Sequence, residues 1–283
     1  MVNIQWFPGH MTKAKRNMQE NMKLVDLVIE LRDARIVNSS KNPMIDKLIQ
    51  DKPRVIILTK KDKADPNVTK EWIKNLKSEK TEVIAIDTLH ENIINDIVNA
   101  SKKVCNNKLV RWSKKGIKAR PLRAMVVGIP NVGKSTLINK IANKKIAKTS
   151  DKPGVTKALQ WVKLNRELEL LDTPGVLWPK FESDKVAYNL AIVGSINDKI
   201  LHLDDIVGYA FKYLLAKYPS IISQRYDVEE IEDIWTLVDN IAIKKGWILR
   251  GKEIDYDRTF KVILNEIRDD KFGRISWERP NEE

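Results

Sequence analysis

Apolar positions along this chain fall into short continuous runs separated by stretches of helical period. Thr12 to Lys23 has helical spacing and carries the basic residues Lys13, Lys15 and Arg16. Leu24 to Arg32, rich in Leu, Val and Ile, reads as a buried strand. Asn42-Pro43 interrupts the chain before a short helix over Met44 to Gln50. Arg54 to Leu58 predicts a second buried strand, Val68 to Lys77 a helix, Glu82 to Ile86 a third strand and Ile93 to Val104 another helix. Asn106 to Arg120 is basic, contains Gly116 and shows no clear period, so it reads as a connecting segment. Arg123 to Val127 is a strand and Ser135 to Ala142 a helix. Alternation over Ala158 to Asn165 and Glu167 to Leu171 predicts a hairpin turning at Asn165-Arg166. Strands alternating with helices predict an α/β fold: a mostly parallel sheet, helices on both faces and an antiparallel strand at one side.

Beyond Trp178-Pro179 the period becomes purely helical, through Ile206 to Tyr218, Val228 to Lys245 and Tyr256 to Arg268. The expected organisation is an α/β domain over residues 1–179 and a small all-α domain over 180–283. Trp235, Trp247 and Tyr256 fall within the apolar pattern of that tail and are expected in its core.

Three segments carry candidate chemistry. Gly128-Ile129-Pro130-Asn131-Val132-Gly133-Lys134-Ser135 is a complete G-x-x-x-x-G-K-[ST] phosphate loop between a predicted strand and a predicted helix. Its backbone can turn amide groups toward phosphates, and the helix adds its positive end. Asn131, Val132, Gly133, Lys134, Ser135 and Thr136 are the expected phosphate contacts, with Lys134 reaching the β- and γ-phosphates and Ser135 holding magnesium. Asp172-Thr173-Pro174-Gly175 closes the second arm of the hairpin, where Asp172 suits magnesium and the Gly175 amide suits a γ-phosphate sensor. Pro153-Gly154-Val155-Thr156 lies between the two, and Thr156 is the candidate to close on magnesium. Thr59-Lys60-Lys61-Asp62 follows a hydrophobic strand. The Asp62 carboxylate can accept both the ring and the exocyclic N–H of guanine, and the Lys60 stem can cover the base. GTP and GDP are therefore the expected ligands, with magnesium.

The formal net charge of +13 is unevenly placed. Residues 180–283 hold 16 basic and 20 acidic side chains, whereas Ile97 to Ser150 hold fourteen Lys or Arg and no Asp or Glu. Such a stretch attracts polyanions and points to an RNA partner. No apolar run approaches the about 18–20 residues needed to cross a membrane. Met1 to His10 has no apolar core of a signal peptide, and Cys105 is the single cysteine. A cytoplasmic protein without a membrane partner is expected, and nothing in the sequence suggests an obligate dimer, so a monomer is expected.

The base-reading segment precedes the phosphate loop, the reverse of the usual order. With Trp6-Phe7-Pro8-Gly9-His10-Met11 at the N-terminus and the pattern from Gly251 to Trp277, the chain resembles the circularly permuted GTPases, and among them the bacterial GTPases of ribosome assembly. That resemblance implies a circularly permuted P-loop GTPase domain that hydrolyses GTP, and partners in the large ribosomal subunit and its ribosomal RNA, bound in the GTP state and left on hydrolysis. It places the guanine-loop pair at Asp87 and Thr88. It assigns the catalytic water to His10, because Val176 stands where many GTPases carry Gln. It also suggests potassium beside the phosphates at Asn131, and an RNA contact in the tail among Lys244, Lys245, Arg250 and Lys252. Two other classes fit parts of the pattern: a non-catalytic RNA-binding scaffold using GTP as a structural ligand, which Val176 favours, and a small-molecule phosphotransferase, which Asp62 disfavours.

Overall fold

The computed structural model describes residues 8–88, 91–117, 120–142, 160–178, 181–196, 202–229 and 231–282, with side chains from Lys15 onward. Six strands form one sheet: β1 (Leu27–Asp33), β2 (Arg54–Thr59), β3 (Thr81–Ala85), β4 (Leu122–Gly128), β5 (Gln160–Lys163) and β6 (Leu168–Asp172). Their order is β3-β2-β1-β4-β6-β5, all parallel except the edge strand β5. Every residue of the central strand β1 is buried, as a strand covered on both faces must be.

The strand period sorts the core into two faces. Val28, Met125 and Leu171 are register partners on one face, beneath α1 (Pro8–Asn21) and α2 (Pro43–Ile49) through Met18, Ile45 and Ile49. Ile56, Leu58 and Val83 continue the cover of that sheet beneath α3 (Pro66–Leu76) through Val68 and Trp72. Ile29, Val55, Ile57 and Val126 belong to the larger core with α4 (Ile94–Val104) and α6 (Lys134–Ala142). Both α2 and α3 start where the chain has an Asx cap and a proline: Asn42 accepts from the Met44 amide and Asp65 from the Asn67 and Val68 amides.

Among the described residues, the helices that follow are α7 (Asp184–Ile192), α8 (Leu203–Lys217), α9 (Ile221–Tyr226), α10 (Ile234–Lys245) and α11 (Tyr256–Arg268). Ile206, Val207, Ala210, Phe211 and Leu214 on α8 are buried within the same core as residues of α7, α9, α10 and α11. The chain then returns to the sheet. The Ile275 amide donates to the Lys63 carbonyl at 3.1 Å and the Trp277 amide to the Arg35 carbonyl at 2.7 Å. The Trp277 indole is 1% exposed, and the Trp72 indole N–H donates to the Glu278 carbonyl at 3.2 Å.

Four expectations change. Asn106 to Lys114 is a helix, α5, not an irregular connection; none of its residues is fully buried, and its apolar side against the core, Leu109 and Trp112, is too narrow to show a period. The α10 helix starts at Ile234 rather than Val228, where the Asp233 side chain caps the Thr236 amide. The first strand starts at Leu27, because Met22–Leu24 forms a turn of 3-10 helix. Trp247 is buried as expected, but Trp235 and Tyr256 are 47% and 46% exposed and lie against Phe260 with ring centroids 6.1 and 5.7 Å away.

Candidate guanine-nucleotide site

The carboxyl ends of β1, β2, β3, β4 and β6 lie along one edge of the sheet. Between β1 and β4 the strand order reverses, which opens the crevice where open α/β sheets bind ligands. The phosphate loop leaves β4 at this point. Gly128 must be glycine: a Cβ there would come within 2.9 Å of Val132 Cγ1 and 3.1 Å of the Leu31 carbonyl oxygen. Gly133 has φ +98°, a conformation that L side chains rarely adopt. Lys134 then opens α6, with Ser135 and Thr136 half-buried in its first turn.

Segments far apart in the chain meet here. The Thr59 hydroxyl donates to the Val132 carbonyl at 2.7 Å and is within 3.1 Å of the Arg32 carbonyl. The Lys60 ammonium, on a residue with φ +56°, donates to the Asn131 carbonyl at 3.0 Å. Thr59 and Lys60 are thus clamped onto the phosphate loop despite preceding it in the chain. Asp62 follows, partly exposed, and its carboxylate accepts no hydrogen bond among the described residues. Lys61 pairs with Glu91 at 2.5 Å, and Glu91 also accepts from the Asp87 amide at 3.0 Å, which joins the loops after β2 and β3. Asp87 and Thr88 are each 8% exposed, beside that bridge.

On the phosphate side, the Lys134 ammonium donates to Asp172 Oδ1 at 2.9 Å, both groups being buried. The Thr173 hydroxyl donates to the Val126 carbonyl at 2.7 Å. Gly175 packs so closely that a Cβ would lie 3.1 Å from the Pro130 nitrogen. The Val176 amide donates to the Gly128 carbonyl at 3.2 Å, and its carbonyl accepts from the Asn42 side chain at 2.7 Å. Val176 itself is 5% exposed in the cluster that holds Met18 and Met22. It anchors the Asp172–Gly175 loop to the core, and the same cluster fixes the end of α1. The backbone of His10 lies in the first turn of that helix, and its side chain is outside the described residues, as is all of Thr156.

Asn131 sits at φ +59° and its amide donates to the Gly194 carbonyl at 3.2 Å, just after α7. A residue not foreseen from the sequence is Asp33, at the carboxyl end of β1. Fully buried, it accepts from the Arg35 side chain at 3.0 and 2.8 Å and from Lys60 at 3.0 Å. Burial alone would push its carboxyl up, but the Arg35 and Lys60 charges hold it well below the usual carboxylate range. The available signal was an acid closing an apolar strand one sheet position from the phosphate loop.

The arrangement is that of a circularly permuted P-loop GTPase. A family model described as a 50S ribosome-binding GTPase matches residues 123–250, a range that contains the phosphate loop but not the base-reading segment. The chain is 51% identical over 283 residues to Ribosome biogenesis GTPase A of Priestia megaterium, covering 99% of this chain and 98% of that one. Against the protein of the same name from Thermotoga maritima it is 31% identical, covering 99% and 95%. Two solved structures, a GDP-bound TM YlqF and a GNP-bound YlqF from T. maritima, share its fold with a TM-score of 0.65 and 28% identity. They cover 94% and 96% of this chain and are themselves covered completely. The chain belongs to the ribosome biogenesis GTPase A family, and it binds guanine nucleotide and hydrolyses GTP.

Proposed function

We propose that this GTPase assists late assembly of the large ribosomal subunit, engaging the particle and its ribosomal RNA in the GTP state and leaving on hydrolysis. The observation that carries this reading is the closure of the phosphate loop against two sensors at once. Thr59 and Lys60 hold it from the base side, and Gly175 packs on Pro130 from the γ-phosphate side. Occupancy at the phosphates is therefore felt in the Asp172–Gly175 loop, which Val176 ties to the cluster beneath α1.

The residues take these roles. Thr59, Lys60, Lys61 and Asp62 read the base, with Asp87 and Thr88 lining its far side. Asn131 to Thr136 and Gly175 receive the phosphates. Ser135, Thr156 and Asp172 would hold magnesium: a hydroxyl in the first turn of α6 and a buried carboxylate supply the hard oxygens that this ion takes. Bound there, magnesium neutralises charge on the phosphate oxygens. The Asn131 side chain is the candidate for potassium, its amide group already directed to the Gly194 carbonyl. With Val176 committed to the core, His10 is the group that orients water, since a histidine can do so near neutral pH. Residues 1–179 are the nucleotide unit and residues 180–283 the helical unit. The helical unit offers Lys244, Lys245, Arg250 and Lys252 to RNA. The protein acts as a cytoplasmic monomer, and among the described residues no helix is long and apolar enough to cross a membrane.

Co-sedimentation with purified large subunits tests the reading. Retention with a non-hydrolysable GTP analogue and release with GDP is the expected result. Equal retention in both states would remove the nucleotide-controlled step.

A further inference from the structure

We propose that helix α5, with Lys115 and Arg120, forms an RNA anchor at the pole of the molecule opposite the nucleotide, and that this anchor is insensitive to nucleotide state. The inference rests on the assembly reading above and assigns a surface to it.

The pole is built from sequence-distant pieces. Asp26, just before β1 and 4% exposed, accepts from Lys108 at 2.6 Å, from Arg120 at 2.8 and 2.9 Å and from the Arg123 amide at 2.9 Å. It therefore pins α5 and the approach to β4 onto the amino ends of the strands. Trp112 is gripped on α5, with the Arg120 guanidinium 4.6 Å and the Lys108 ammonium 5.4 Å from its ring centre. These cation–π contacts, with Leu109 and Trp112 against the core, fix a helix that has no fully buried residue.

What this fixed helix presents is charge. Residues 102–123 contain nine Lys or Arg and no Asp or Glu. Asp26 compensates Lys108 and Arg120, Glu167 meets Lys102, and Glu82 meets Lys103. Arg111, Lys114 and Lys115 are exposed and have no carboxylate partner among the described residues. At helical spacing Lys108, Arg111 and Lys115 follow one another along one side, a stripe of about 10 Å. A fixed basic stripe in which only Lys108 is held by Asp26, and Arg111 and Lys115 have no carboxylate partner among the described residues, suits phosphates spaced along a backbone. The A-form RNA duplex is read in this way, by shape and phosphate contacts. A membrane surface fits less well, because two of the helix's apolar residues, Leu109 and Trp112, already pack on the core.

Distance sets the second half of the proposal. The nucleotide residues lie at the carboxyl ends of the strands, and α5 is tied to their amino ends through Asp26. The seven residues of β1 separate the two by roughly 20 Å. Among the described residues no hydrogen bond or ion pair joins Asp26, Lys108 or Arg120 to Asp172 or Gly175, so the hold on RNA is expected to be the same with GDP and GTP. Nucleotide-controlled release then acts through the other pole alone.

The test is fluorescence anisotropy with a labelled mixed-sequence RNA duplex across a potassium chloride series, with GDP and with a non-hydrolysable GTP analogue. The triple variant Arg111→Glu, Lys114→Glu, Lys115→Glu changes exposed side chains only, and its affinity for a fluorescent GDP analogue reports that it is folded. Expected are RNA binding at least about tenfold weaker and a salt slope shallower by roughly two to three, alike in both nucleotide states, with the GDP analogue bound as before. Unchanged RNA affinity and slope in the variant would overturn the anchor. A loss confined to one nucleotide state would overturn its insensitivity. Binding of the unaltered chain to phosphatidylglycerol vesicles but not to RNA would assign the pole to a membrane instead. If the pole binds RNA as expected but the chain never sediments with large subunits, the assembly reading fails and the anchor stands.

Discussion

Asp33, fully buried at the end of the strand beside the phosphate loop, holds the half-buried Lys60 ammonium at 3.0 Å. The same carboxylate binds Arg35, whose carbonyl receives the Trp277 amide. Asp33→Asn would leave two cations beside a neutral amide. The expected cost is about 3–5 kcal/mol of stability, read from denaturant midpoints, with weaker GDP binding through a displaced Lys60.

The pH dependence of that pair has a definite sign. The folded-state pKa of Asp33 is depressed below its ordinary value, so its contribution is present above about pH 4 and is lost as pH falls below it. Acid unfolding of the unaltered chain should steepen in that window, and the Asp33→Asn chain should lose this component. Equal acid profiles would show that the pair carries no linkage.

Asp62 is the residue proposed to select the base. Asp62→Asn should lose GTP affinity by about 10⁴-fold and gain affinity for xanthine nucleotide, whose exocyclic oxygen accepts where guanine donates. Direct titration of both nucleotides measures the exchange. Retained GTP preference would move base reading elsewhere.

Val176 occupies the place of a water-orienting side chain and is instead a core residue, 5% exposed among Val28, Met125 and Leu171. Installing the common group, Val176→Gln, should not raise turnover. It should lower stability by about 1–3 kcal/mol, because an amide enters an apolar cluster. Faster turnover in a stable variant would contradict this role.

The sheet was legible in the sequence because strands buried on both faces leave continuous apolar runs, as in Leu27 to Ile29 and Val55 to Leu58. The phosphate loop and Asp172–Gly175 were legible because their backbone demands fix glycines at set spacings. Helix α5 was hidden because its apolar side, Leu109 and Trp112, is narrow and set among many basic residues. Helix α9, six residues long, was too short to show a period. The Asp33–Lys60 pairing and the clasp of the C-terminal segment were invisible for another reason: their partners are distant in the chain. Glu278 accepts from the Asn38 amide at 2.7 Å, the Ser39 amide at 3.0 Å and the Asn189 side chain at 3.0 Å, and the Ser39 partner lies 239 positions away.

That clasp is measurable. Glu278→Gln places an amide N–H₂ among donors and should cost about 2–3 kcal/mol, lowering the thermal midpoint and loosening residues 275–279 in hydrogen exchange. Unchanged protection there would show that Trp277 alone seats the segment.

The measurement that bears most directly on the whole account is GTP turnover in potassium buffer with and without purified large ribosomal subunits, for the unaltered chain and for His10→Ala. Strong stimulation by subunits is expected, with the histidine variant lowering the stimulated rate by about 10²-fold or more while GTP affinity holds. Repeated in sodium, the rate should fall if Asn131 holds potassium. Turnover indifferent to the subunits, with GTP still bound tightly, would contradict a ribosome-coupled switch.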